Sequence, residues 1–212
     1  MFKAIFWDND GVLVNTEPLY FKACRKALGE AGIELTEDFY MNDHLKTNRS
    51  TFDLAREQGF SAEHIQQLRA NKDNIYMEMI SKHVPIIDGV IDTLNELKDR
   101  FEMGMVTSSP RGYMNIIFKQ TGLNDFFSFV ITNDDITREK PNPEPYLLAL
   151  SKTGLKPEDC LVIEDTERGI VAAKEAGLTC YAIPNELSRH NDFSKADRVL
   201  KTVRELPQLI LN

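Results

Sequence analysis

Hydrophobic positions change their spacing twice along the chain. A short apolar run from Ala4 to Trp7 predicts one strand that is buried on both faces. The segment 15–83 then has helical spacing and no strand-like alternation, with Pro18 expected to begin one helix and Ser61 to cap another. From residue 84 onward, short apolar runs alternate with helical patterns. This order predicts a helical segment inserted into a strand–helix fold.

The alternating part predicts four further strands with helices between them. These strands are Glu102–Val106, Phe127–Ile131, Cys160–Ile163 and Leu178–Ile183. Alternation of this kind implies a parallel sheet covered by helices on both faces. We therefore predict an α/β fold, with a doubly wound, mainly parallel sheet core formed by residues 1–14 and 84–212 and an inserted all-helical domain at 15–83.

Composition narrows the classes of partner. The net charge is −8, from 25 lysines and arginines against 33 aspartates and glutamates, without a long basic run. This balance argues against nucleic acid or an anionic membrane as partner.

We expect no signal peptide, because a strand follows Met1 directly, and no apolar run reaches the length of a membrane span. Cys24, Cys160 and Cys180 lie apart among apolar residues, which predicts buried free thiols in a reducing cytoplasm. Without a heptad pattern, we expect a monomer.

Polar residues follow the predicted strands. In an open parallel sheet, ligands bind outside the carboxyl ends of the strands. The residues expected there are Asp8, Asp10, Thr107, Ser108, Ser109, Lys140, Glu164 and Asp165. Carboxylates suit a hard ion that also meets phosphate oxygens, so the set predicts Mg²⁺-assisted phosphoryl transfer on a small phosphorylated metabolite. One aspartate could attack phosphorus and the other protonate the leaving oxygen, while Thr107, the Ser108 N–H and Lys140 stabilise the remaining oxygens.

Each of these pieces also has a purely structural interpretation. The two aspartates with Gly11 could form only a turn, and Thr107–Ser109 could only cap the next helix. Lys140 alone could be a solvated surface lysine, and Glu164 with Asp165 a pair of loop residues. Their common place at the ends of successive strands favours the catalytic interpretation.

Four segments resemble, in order, the motifs of the haloacid dehalogenase-like hydrolases. These segments are Asp8-Asn9-Asp10-Gly11-Val12, Val106-Thr107-Ser108, Lys140-Pro141-Asn142-Pro143 and Val162-Ile163-Glu164-Asp165. The resemblance covers nearly the whole chain and implies that Asp8 is the nucleophile and Asp10 the general acid and base. The Mg²⁺ ligands that it implies are Asp8, the backbone carbonyl of Asp10, Glu164 and Asp165. The insert at 15–83 resembles the helical cap of the subfamily containing β-phosphoglucomutase and phosphoglycolate phosphatase, which carries substrate specificity.

The resemblance leaves several activities to compare. Family dehalogenases are metal-free and lack the second aspartate, which argues against that activity. β-Phosphoglucomutase uses a histidine and a lysine of its cap, and by ungapped matching these positions are Tyr20 and Glu78. We therefore predict hydrolysis of a small phosphomonoester such as a sugar phosphate. Arg49 matches a cap arginine that grips a distal phosphate, and Ser109 and Arg111 are expected beside the leaving group. A phosphomutase and a non-catalytic binding protein remain the alternatives.

Overall fold

The computed structural model describes residues 1–47 and 49–211, and the chain divides into two compact units. Met1–Asn15 and the chain from Pro85 onward form the first, which we call the α/β unit. Thr16–Val84 forms the second, the helical unit, and its described residues include no strand. Each boundary lies one residue beyond the expected one. Among the described residues, no helix combines the length and the apolar character needed to cross a bilayer.

A six-stranded sheet forms the centre of the α/β unit, in the order β3-β2-β1-β4-β5-β6. The strands are β1 (Ala4–Trp7), β2 (Glu102–Val106), β3 (Phe129–Ile131), β4 (Cys160–Glu164), β5 (Thr179–Ala182) and β6 (Arg198–Val199). Every pairing is parallel, and Trp7 at the end of β1 is in register with Met105 and Ile163. The α/β class and the parallel sheet are therefore confirmed, and β6, a short exposed edge strand, was not predicted.

Both faces of the central strand are buried. Ala4 and Phe6 lie in one apolar cluster with Tyr146 and Ile170. Ile5 lies on the opposite face because successive side chains of a strand alternate, and it is equally inaccessible to solvent. The polar side chains that follow this strand in the sequence therefore lie directly at the edge of a packed core. The three cysteines are buried and free, as predicted.

Helices cover the sheet and form the second unit. They are α1 (Glu17–Glu30), α2 (Glu37–Phe39), α3 (Asp53–Glu57), α4 (Ala62–Lys82), α5 (Val90–Leu97), α6 (Arg111–Thr121), α7 (Glu144–Thr153), α8 (Glu167–Glu175) and α9 (Leu206–Ile210). Ser61 caps α4 as predicted, since its side chain accepts a hydrogen bond from the His64 N–H. Thr166 caps α8 in the same way, through the Gly169 N–H. Only two residues thus separate the end of β4 from the helix that follows it.

Candidate active site

The chain leaves β1 in a tight turn that carries the first two aspartates. The Asp8 N–H donates to the Ile163 carbonyl at 2.9 Å, which continues the sheet ladder by one residue. The Asn9 carbonyl then accepts from the Leu13 N–H at 2.9 Å. Gly11 has a φ of +88°, a conformation that L side chains rarely adopt. The turn therefore holds Asp8 and Asp10 at the carboxyl end of the central strand.

Lys140 lies at the centre of a buried ionic cluster. Its Nζ donates to Asp8 Oδ1 at 2.6 Å, to Glu164 Oε1 at 2.7 Å and to the Val106 carbonyl at 3.0 Å. Only 4% of the lysine is exposed, so it is not a solvated surface residue. Burial alone would lower the pKa of Lys140, but the carboxylates of Asp8 and Glu164 raise it well above its ordinary value. The ammonium group therefore stays charged between the two carboxylates.

The cluster holds more negative charge than one lysine can balance. Burial, and then the neighbouring charges of Glu164 and Asp10, raise the pKa of Asp8 to about 8, although Lys140 acts against them. Asp8, Glu164 and Asp165 are all buried and offer carboxylate oxygens that lie within 4.8 Å of one another. Such a set of hard oxygen ligands with excess negative charge suits Mg²⁺. The residues present therefore fit the cation that the motifs imply.

Asp10 is held by hydroxyl groups from the end of β2. Its Oδ2 accepts from Ser109 Oγ at 2.8 Å and from Thr107 Oγ1 at 3.2 Å, and Thr107 Oγ1 itself accepts from the Ser109 N–H. These residues do not cap α6, whose N-cap position is Pro110. Ser108 is exposed and takes part in no hydrogen bond within residues 1–47 and 49–211. The segment therefore presents a backbone N–H beside an anchored carboxylate.

Glu164 has a further partner that sequence reasoning missed. The Tyr146 hydroxyl, on α7, donates to Glu164 Oε1 at 2.7 Å, and the opposite oxygen accepts from the Asp165 N–H and from Thr166 Oγ1. A Cβ at Gly169 would lie 1.8 Å from the Glu164 carboxylate, so a larger residue here would displace that carboxylate from its partners. The helical spacing of the sequence places Tyr146 among the apolar core residues. The one signal for its role is that a buried tyrosine hydroxyl needs a hydrogen-bond partner.

Asp165 is held from the loop that follows β5. The Asn185 Nδ2 donates to Asp165 Oδ2 at 2.6 Å. Asn185 was also missed, although a signal existed. It follows β5, a parallel strand whose carboxyl end lies at the same edge as those of β1 and β4. The reasoning that selected the ends of the other strands applies equally to this one.

Arg111, which was expected beside the leaving group, contacts acidic residues that follow β3. Its guanidinium pairs with the Asp135 carboxylate and lies 3.4 Å from the Val130 carbonyl. The backbone N–H of Arg111 donates to the Asp134 carboxylate at 2.6 Å. Acidic residues of a short 3₁₀ turn after β3 thus determine its direction. Within the helical unit, the Arg49 guanidinium lies over the Phe39 ring and pairs with two carboxylates of that unit. Substrate contact by either arginine stays a prediction.

The residues weighed against a mutase have unexpected neighbours. Glu78 is on the helical surface and pairs with Lys82. A different lysine, Lys72, is buried with its Nζ 3.2 Å from the Tyr20 hydroxyl and 4.5 Å from the centre of that ring. The interpretation of Tyr20 and Glu78 as evidence against a mutase stays a prediction.

Comparison with known proteins identifies the family. The sequence profile of the haloacid dehalogenase-like hydrolases matches residues 5–183. The chain belongs to this family. A Thermotoga maritima protein named phosphorylated carbohydrates phosphatase is 30% identical over 99% of the chain and 97% of its own length. Membership of the family, together with relatives named as phosphatases, supports a phosphoric monoester hydrolase.

Solved structures of similar proteins have the same architecture. The structure of CbbY from Rhodobacter sphaeroides in complex with phosphate has a TM-score of 0.84 and 25% identity, covering 97% of this chain and 96% of that one. β-Phosphoglucomutase from Clostridium difficile has a TM-score of 0.80 and 25% identity, covering 97% and 93%. A protein solved with bound phosphate and a mutase therefore both stand among the structures to which this chain is similar.

Proposed function

We propose that the chain is a Mg²⁺-dependent phosphatase that hydrolyses a small phosphomonoester through an aspartyl-phosphate on Asp8. The observation that carries this proposal is the buried cluster in which Lys140 joins Asp8 to Glu164, with Asp10 anchored separately by hydroxyl groups. The name of the Thermotoga relative supports a sugar phosphate as the substrate class. The buried free thiols agree with work in a reducing cytoplasm.

The two aspartates take different parts in the reaction. Lys140 orients the Asp8 carboxylate, which attacks phosphorus, forms the Asp8–phosphate bond and breaks the bond to the leaving oxygen. Asp10 gives its proton to that oxygen and later accepts a proton from the water that hydrolyses the aspartyl-phosphate. The Ser108 N–H, and the Thr107 hydroxyl once it leaves Asp10, donate to phosphoryl oxygens. Ser109 keeps the Asp10 carboxylate in place.

The carboxylates beside Asp8 would hold the cation. Glu164, Asp165 and Asp8 supply side-chain oxygens, and the Asp10 carbonyl is a further ligand in this proposal. When bound, Mg²⁺ would offset negative charge on the phosphoryl group. We also propose that the helical unit selects the substrate, with Arg49 available to a second anionic group once it leaves Asp43 and Glu57.

Turnover of p-nitrophenyl phosphate tests the proposal. We expect hydrolysis that requires Mg²⁺ and stops with EDTA, and loss of at least about 10³-fold in kcat for Asp8→Asn because the nucleophile is gone. Asp125→Asn, at an exposed position of the same unit, is the matched control and should keep full activity. Undiminished turnover in Asp8→Asn would refute the nucleophile assignment. Isomerisation of a hexose phosphate faster than its hydrolysis, with trace bisphosphate present, would instead identify a mutase.

A further inference from the structure

Asn185 connects the loop after β5 to the carboxylate cluster. We propose that Asn185 is a positioning residue: it fixes the Asp165 carboxylate and thereby sets the affinity of the site for Mg²⁺. This inference rests on the proposed function, because it assumes that Asp165 binds the cation. Its basis is the 2.6 Å hydrogen bond from Asn185 Nδ2 to Asp165 Oδ2.

The orientation of the Asn185 amide is determined by its own turn. Its Oδ1 accepts from the Leu187 N–H at 2.9 Å and from the Ser188 N–H at 3.0 Å, so the amide nitrogen has to face Asp165. The backbone N–H of Asn185 also donates to Ser188 Oγ at 3.0 Å, and Ser188 is 2% exposed. Two hydrogen bonds to Oδ1 therefore hold the side chain, and one from the backbone N–H holds the turn, before any ligand arrives.

The Asp165–Asn185 pair packs directly on the turn that carries the first two aspartates. A Cβ at Gly11 would lie 2.2 Å from Asp165 Oδ2 and 2.6 Å from Asn185 Nδ2. The Asn185 Nδ2 is also 3.5 Å from the Gly11 carbonyl. The amide thus joins the ends of β1, β4 and β5 at the point where Asp165 meets the Asp8 turn.

A neutral donor suits this position. A lysine here would balance the charge of Asp165 and compete with a cation, whereas an amide orients the carboxylate and leaves its charge uncompensated. Partners that orient metal ligands in this way contribute roughly 10–100-fold to metal affinity. The structure therefore assigns to Asn185 a contribution to Mg²⁺ binding that is separate from its contribution to the loop.

Calorimetric titration of the full chain with MgCl₂, without substrate, tests the inference. Asn185→Ala should bind Mg²⁺ about 10–100-fold more weakly and need correspondingly more Mg²⁺ for half-maximal activity, with kcat largely restored at saturating Mg²⁺. Asn185→Ser keeps a weaker acceptor for the turn and should show the same loss of affinity if the alanine variant does not fold. Asn191→Ala is the control, since its side chain accepts from the Glu167 N–H, and its Mg²⁺ affinity should stay within about 2-fold of the wild type.

Two results would overturn the inference, and they are distinguishable. Variants at Asn185 that bind Mg²⁺ within 2-fold of the wild type, while unfolding more easily, would mean that the amide serves only the turn. A wild-type chain that hydrolyses the ester but binds no Mg²⁺ would refute the metal dependence of the proposed function, and the inference with it.

Discussion

Replacing Tyr146 by phenylalanine removes one hydroxyl from the buried cluster and leaves the aromatic ring in place. That hydroxyl donates to Glu164 Oε1 at 2.7 Å. Burial, and the nearby charge of Glu164, raise the pKa of Tyr146 well above its ordinary value of 10, so the phenol stays a donor wherever the protein is folded. The hydroxyl that the substitution removes is therefore a donor throughout the range from pH 6 to pH 9.

The expected cost follows from the partners of the acceptor. A hydrogen bond to a charged group contributes about 1.5–3 kcal/mol to the free energy of unfolding. Lys140 still donates a hydrogen bond to the same Glu164 oxygen after the substitution, so the lower end of this range applies. A loss of about 1.5 kcal/mol in a chain of this length corresponds to a fall of about 3–6 °C in the melting temperature.

Trp7 offers a fluorescence probe of unfolding. It is the single tryptophan of the chain and is fully buried at the end of β1. Urea unfolding followed by its fluorescence would give the free energies for Tyr146→Phe, Glu164→Gln and the double variant. Because the two groups are in direct contact, their effects should be non-additive by about 1 kcal/mol.

A second tyrosine–glutamate pair supplies the control. In the helical unit, the buried Tyr40 hydroxyl donates to Glu17 at 2.5 Å. Tyr40→Phe combined with Glu164→Gln should be additive within about 0.5 kcal/mol, since the two sites share no hydrogen-bond partner among the described residues. Additive effects for Tyr146→Phe and Glu164→Gln would refute the assignment of the Tyr146 hydroxyl to that carboxylate.

Three further changes test other parts of the α/β unit. Lys140→Met leaves buried carboxylates without their cation, so we expect a loss of about 3–5 kcal/mol in urea unfolding and no turnover. Asn9→Leu should stabilise the protein by about 1–3 kcal/mol, because Asn9 is fully buried and, within the described part of the chain, neither polar atom of its side chain has a hydrogen-bond partner. Burial would raise the pKa of Asp135, but hydrogen bonds from Thr132 and the Arg111 charge hold it below 3.8, so the stability lost in Asp135→Asn should diminish as the pH falls below about 4.

Each of these three predictions has a result that would contradict it. Lys82→Met removes an exposed ion pair, and a cost for Lys140→Met as small as for this control would mean that the buried cluster is not held by its cation. A lower unfolding midpoint in Asn9→Leu would indicate that the amide has a stabilising partner. A difference between Asp135→Asn and the wild type that stays constant from pH 6 to pH 3 would exclude titration of that carboxyl.

The pattern of apolar runs was sufficient to predict the class of fold and the strands that meet at the site. Asp8, Thr107 and Glu164 could be grouped because parallel strands end at one edge of the sheet, and that rule needs only the order of the elements. The edge strand β6 escaped prediction because its two residues are exposed and form no apolar run. The third strand begins two residues later than expected.

The parts that could not be predicted depend on contacts between distant segments. Tyr146 has the spacing of a core residue, and its hydrogen bond to Glu164 exists only because α7 packs against the sheet. The direction of Arg111 depends on carboxylates that the chain brings back after β3. The turn that Asn185 forms could be inferred from the local sequence, but the hydrogen bond from its side chain to Asp165 could not.

The position of β1 in the sheet has a consequence for how the chain becomes folded during synthesis. Ala4 pairs with Glu102 on one side and Cys160 on the other, and the whole helical unit is made before either partner exists. Its contacts are thus among the most distant in the chain, and such contacts form late because a long loop must close first. A nascent chain that stops before β4 leaves one edge of this apolar strand open to unwanted pairing. Of the six strands, the one that precedes the proposed nucleophile is made first, and we expect it to be among the last to be enclosed.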